Sequence, residues 1–136
     1  MYIEKKYYFY AGHRNKLAGE KCGRLHGHTY DVVCKFKFDT MKDGVTVLFS
    51  DIDKKVEPII KEYDHYFLLY KEDKLCTIFE LHNEPYKEMP FETSAENMAI
   101  WLFNRIRNEA KMPIVEIRLA ETKSSTVVYN GIEISN

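Results

Sequence analysis

Cys22-Gly23-Arg24-Leu25-His26-Gly27-His28 opens the stretch that decides how this chain is read, because the residues after it alternate. Tyr30, Val32, Cys34, Phe36 and Phe38 fall on one side, and Asp31, Lys35, Lys37 and Asp39 on the other. A period of two is the mark of a strand with one buried face. Carried backward, it places His26 and His28 on the apolar side. Imidazole nitrogens cost free energy in an apolar site unless each finds a partner. A metal ion would be such a partner. A second alternating run, Tyr7, Phe9, Ala11 and His13, ends in a third histidine. The segment between the runs reads as a hairpin with a broad loop, which brings His13 beside the other two. Three nitrogen ligands with a fourth position open is the arrangement of a catalytic Zn2+ site, whereas a structural site closes its shell with a fourth side chain.

The 136 residues are enough for one domain with a real core and too few for two comfortable ones, so residues 1–136 are read as a single domain. Hydrophobic residues at 45% and charged residues at 30% exclude wholesale disorder. A formal charge of -1 argues against a general nucleic-acid binder. No apolar run approaches the roughly 18 residues of a membrane span, and Met1-Tyr2-Ile3-Glu4-Lys5-Lys6 lacks the apolar centre of a signal peptide. A cytoplasmic location is the default expectation. Three cysteines, without the spacing of a disulfide framework, fit a reducing compartment. Cys34 lies on the apolar face of its strand and reads as packing, and Cys76 has no evident task. Cys22 differs, standing in a glycine-flanked basic loop beside the expected metal.

Residues 2–12 read as a first strand, dense enough in aromatics (Tyr7, Tyr8, Phe9, Tyr10) to be covered on both faces. The loop at 14–25 holds Arg14, Lys16, Lys21 and Arg24 against Glu20, a local charge of +3. That is either a solvated loop or an anion-attracting rim. Residues 28–38 form the second strand. Ser50 or Asp51 caps a helix through Ile52, Val56, Ile59, Ile60 and Tyr63, in which Pro58 predicts a kink or a late start. Asp64-His65 follows, a surface dipeptide or a carboxylate-held imidazole able to move protons near neutral pH. Residues 70–92 alternate poorly and are read as an inserted hairpin or loop, with His82 incidental. Thr93-Ser94-Ala95-Glu96 fits a capping box that opens a helix packed through Met98, Leu102, Ile106 and Ala110. Strands at 114–120 and 126–129 follow, then Asn130-Gly131 as a turn or bulge before Ile132 to Ile134. Two strands, two helices and two strands predict an α+β fold, an antiparallel four-stranded sheet with both helices on one face.

These residues resemble the 6-pyruvoyltetrahydropterin synthase family, in particular its 6-carboxytetrahydropterin synthase branch. The resemblance rests on Phe9-Tyr10-Ala11-Gly12-His13, the Cys22 to His28 stretch, Asp64-His65, Ser94-Ala95-Glu96-Asn97, and Glu121-Thr122 followed by Tyr129. Its most specific element is the three residues between Cys22 and His26; the biopterin-making branch usually has five. Departures are Thr93 where the family usually has Pro, Ser94 where it has Thr, Leu69 where Asn is common, and a longer 70–92 segment.

What the resemblance implies is a tunnelling fold, in which trimers close a shared barrel and two trimers stack as a homohexamer. It implies Zn2+ on His13, His26 and His28, Cys22 as the base working on the substrate side chain, and Asp64 with His65 as the accompanying proton-transfer pair. Glu121 would hold the pterin ring, with Glu96 and Ser94 helping across a subunit boundary. The implied reaction converts 7,8-dihydroneopterin triphosphate to 6-carboxy-5,6,7,8-tetrahydropterin, acetaldehyde and triphosphate, on the way to queuosine-type tRNA bases. The +3 rim would then face the triphosphate, and zinc together with the basic loop should lower the Cys22 pKa. Two alternatives stand beside it: elimination of triphosphate to give 6-pyruvoyltetrahydropterin, and a closed site of three histidines and Cys22 in a non-catalytic protein.

Overall fold

The computed structural model describes residues 1–135. Strands β1 (Tyr2–His13) and β2 (His26–Lys37) pair antiparallel without a break, from Tyr2 opposite Lys37 to His13 opposite His26. After them come α1 (Phe49–Lys61), β3 (Tyr66–Tyr70), α2 (Leu75–Leu81), β4 (Tyr86–Met89), α3 (Ala95–Asn108), β5 (Ile114–Thr122) and β6 (Ser125–Tyr129). The sheet has six strands in the order β4-β3-β1-β2-β5-β6. The four expected strands form its antiparallel part. Beside them β3 runs parallel to the end of β1, and β4 parallel to β3.

The stretch 70–92 is therefore neither a hairpin nor a loop. It is the crossover and the second strand of a β-α-β unit, since parallel neighbours require a connection of a dozen residues or more. Its first strand hides from a period-two search because Leu68 and Leu69 are both buried, on opposite faces.

One face of the sheet carries the core. Tyr7, Phe9 and Ala11 of β1, Tyr30, Val32, Cys34 and Phe36 of β2, and Ile117 and Leu119 of β5 pack against Ile52, Val56, Ile59 and Ile60 of α1 and Met98, Leu102, Phe103 and Ile106 of α3. Phe9 and Tyr30 stack across the β1–β2 pair, with ring centroids 4.7 Å apart and planes 7° from parallel. The other face stays open: Tyr8 and Tyr10 are 49% and 46% exposed, so the chain does not itself cover β1 on both sides.

Helix boundaries correct three readings. α1 begins early, after Leu48, with no side-chain cap from Ser50 or Asp51, and continues across Pro58. α3 is capped by Ser94, which accepts from Asn97 N at 3.2 Å, so Thr93 and Glu96 do not form a capping box. Ser94 takes the cap because Thr93 is buried and turned toward β1, its hydroxyl donating to Arg14 O at 3.3 Å. Ile132 to Ile134 make no strand and lie exposed at positions 132 and 134. Among the described residues, no helix is long and apolar enough to cross a membrane.

Candidate functional site

Register alone brings three imidazoles together. His13 pairs directly with His26, and His28 sits opposite Ala11, one diagonal away on the same face. Their ligand nitrogens all lie within 4.8 Å of one another. His13 Nδ1 donates to Thr93 O at 2.6 Å, and His26 Nδ1 donates to Arg24 O at 2.7 Å. Each of these bonds fixes the tautomer and leaves Nε2 bare, which is how a ring that binds metal through one nitrogen is usually held by the other. His13 Nε2 and His28 Nε2 stand 3.2 Å apart.

Burial pulls His13 down to about 4, only partly offset by its bond to Thr93 O, with His26 and His28 lowering it further. Burial likewise lowers His28, followed by the influence of His26. Both rings are thus held neutral at pH 7. Neutral imidazoles with bare nitrogens gathered on one point are the form a divalent cation takes, and 3.2 Å is close to the edge of a tetrahedron with metal–nitrogen bonds of about 2.0–2.1 Å. The donor set fits zinc.

Glu121 comes from the end of β5 and reaches the same point, its oxygens 3.6 Å from His13 Nε2 and 3.7 Å from His28 Nε2. Because burial keeps those rings neutral, these are close approaches and not ion pairs. Burial pushes the Glu121 carboxyl up, Glu96 adds to the rise, and His26 opposes it.

A cavity of about 420 Å³ opens above the histidines, lined by His13, His26, Cys22, Glu121, Ser94 and Glu96 among others. Cys22 is exposed and held there by its main chain, its carbonyl accepting from Asn15 N at 2.7 Å. The turn beneath it is tight: a β-carbon on Gly23 would lie 3.1 Å from Gly19 O. Cys22 lines the cavity but is not part of the cluster whose ligand atoms lie within 4.8 Å of one another.

Asp64 and His65 lie elsewhere. Asp64 accepts from Tyr10 N and from His65 Nδ1, both at 2.8 Å, and His65 takes a left-handed backbone at φ 64°. His65 lines a second concavity with Tyr10, Gly12 and Thr29 and also with His26 and His28 of the cluster, but without Cys22 or Glu121. The basic loop also differs from its reading. Arg14 is bound to Asp73 and Arg24 to Glu20, leaving Lys16 and Lys21 as the loop cations without an ion pair among the described residues. Sequence reasoning missed Thr93 as the support of His13 and Asp73 as the partner of Arg14, both contacts across more than 55 residues.

The chain matches the 6-pyruvoyl tetrahydropterin synthase family over residues 2–132. It belongs to that family. Among its relatives in the pterin synthase family, it is 32% identical over 136 residues to the 6-carboxy-5,6,7,8-tetrahydropterin synthase of Haemophilus influenzae, covering 93% of this chain and 96% of the relative. The protein of the same name from Synechocystis is 26% identical, with 98% and 95% covered. Among solved structures, an uncharacterized protein from Wolinella succinogenes superposes with a TM-score of 0.80 at 19% identity, over 97% of this chain and 98% of that one. The Caenorhabditis elegans 6-pyruvoyl tetrahydropterin synthase gives 0.70 at 20% identity, over 97% and 96%. These two share the fold of the pterin synthase family with this chain.

Proposed function

We propose that this chain is a zinc-dependent 6-carboxy-5,6,7,8-tetrahydropterin synthase, a lyase that converts 7,8-dihydroneopterin triphosphate to 6-carboxy-5,6,7,8-tetrahydropterin, acetaldehyde and triphosphate. The observation that carries the reading is one cavity lined by two imidazoles of the three-histidine cluster, a free thiol and a half-buried carboxylate. The name of the Haemophilus influenzae relative supports the choice of product.

His13, His26 and His28 would hold the ion, which when bound would polarise the substrate's side-chain hydroxyls and stabilise negative charge on oxygen. Glu121 accepts from the ring NH and amino group of the pterin. Two donors arriving together offset the desolvation of its carboxylate, which a single donor would not. Cys22, at the exposed side of the cluster, takes a carbon-bound proton. Glu96, freed from capping, and Ser94 border the same cavity and contact the ring or its side chain. Lys16 and Lys21 are the loop cations left to meet phosphate.

Asp64 and His65 pass protons from the second concavity, which His65 lines with His26 and His28. A homohexamer whose copies share the site belongs to the same reading. A single domain, a cytoplasmic location and a place in making queuosine-type tRNA bases complete the reading. Incubation of the zinc-loaded protein with 7,8-dihydroneopterin triphosphate, with products followed by mass spectrometry, tests it. Acetaldehyde release is expected; triphosphate release without acetaldehyde would indicate the 6-pyruvoyl product and overturn the assignment.

A further inference from the structure

Three consecutive residues at the end of β1 are each gripped by the stretch from β3 to the start of α3. Gly12 lies against the Phe67 ring, whose Cε1 and Cδ1 occupy the space a β-carbon would need. His13 donates to Thr93 O at 2.6 Å. Arg14 donates to Asp73 twice, from Nε at 2.8 Å and from Nη2 at 2.5 Å. Asp73 also accepts from Leu75 N at 2.9 Å, at the first turn of α2. The Arg14 and Asp73 side chains are only 17% and 8% exposed, so this is no loose surface pair.

A planar two-point bond between arginine and carboxylate fixes orientation as well as distance. An arginine adjacent to a metal ligand, and fixed in this way, restricts the backbone that sets the ligand's direction. No catalytic task falls to Asp73, which does not line the cavity.

We infer that Asp73 is a positioning residue for the metal centre: through Arg14 it locks the end of β1 and so aims His13. The inference rests on the reading of His13 as a metal ligand. Its structural consequence, an ordered His13 ring, exists without any ion.

The test compares the full-length parent with Asp73→Asn and, as a control, Asp53→Asn. The control removes a carboxylate that binds Lys5 and Tyr7 at a distance from the site. Zinc dissociation constants come from competition with a chromophoric chelator, and thermal midpoints are measured separately. Asp73→Asn should weaken zinc by about tenfold, the low end of the range for supporting partners of metal ligands. Asp53→Asn should lower the midpoint and leave the zinc constant within about twofold of the parent.

If Asp73→Asn does not fold, Arg14→Lys serves in its place, keeping the charge and losing the fork. A second readout needs no metal: the His13 Nδ1–H proton resonance of the metal-free protein should be slow to exchange in the parent and broadened or lost in the variant. An unchanged resonance together with an unchanged zinc constant overturns the inference. If the parent binds no zinc, the proposed function fails while the resonance still decides the role of Asp73.

Discussion

The Phe67 ring lies against Gly12, one residue before His13 of the histidine cluster, leaving no room for even a methyl group. Gly12→Ala must therefore displace either the ring or the strand, and overpacking of this kind costs about 1–3 kcal/mol. Chemical denaturation should show that loss, and the double variant Gly12→Ala with Phe67→Ala should recover a large part of the added strain. Simple additivity of the two changes would mean that the contact is not the cause.

Tyr30 is fully buried, and its hydroxyl has no hydrogen-bond partner among the described residues. Burial, with a further contribution from Glu121, raises its pKa, so the group stays protonated with its donor idle. Leaving a buried donor unsatisfied costs about 1–3 kcal/mol. Tyr30→Phe keeps the stacking on Phe9 and should be neutral or stabilising by about 1 kcal/mol, read as a higher thermal midpoint. A lower midpoint would reveal a partner for the hydroxyl.

Metal and thiol should separate by mutation. His28→Ala is expected to abolish stoichiometric zinc and turnover together, because two imidazoles do not hold the ion as three do. Cys22→Ala is expected to keep zinc, measured by elemental analysis, and to lose at least about a hundredfold in turnover, the usual scale of a missing proton-transfer group. Loss of zinc in Cys22→Ala would make the sulfur a ligand, and normal turnover would remove it from the chemistry.

Acid should release the Arg14–Asp73 clamp. Arg14 holds the Asp73 carboxyl below the usual carboxylate range, with Leu75 N and Lys16 assisting against desolvation. A depressed folded value means that the unfolded chain takes up the proton first as pH falls. The stabilisation is thus complete above the ordinary value of about 3.9 and disappears as pH drops through the folded one. Denaturation of the metal-free protein from pH 6 to pH 2.5 should show a steeper acid loss in the parent than in Asp73→Asn. Parallel curves would contradict the coupling.

Much of the site was legible because it is written in local patterns. The run from Tyr7 to His13 and the run from His26 to Phe38 each declare a buried face by their own alternation, and their antiparallel pairing then places His13 beside His26 and His28. Glu121 was legible through its family motif. The β3-α2-β4 unit was not legible, because consecutive buried leucines and a seven-residue helix leave no period to detect. The supposed capping box failed for a related reason: Thr93 satisfies the local pattern for a cap, but burial against His13 and Arg14 claims it first.

By itself the sequence determined the four antiparallel strands, the inward faces of the first two and therefore which three rings share a side, since alternation and hairpin closure are properties of neighbouring residues. Only the tertiary structure decided which carbonyl orients His13, which carboxylate holds Arg14, and that His65 and Cys22 line different concavities. Those contacts join residues brought together by packing over long loops, and no periodicity along the chain records them.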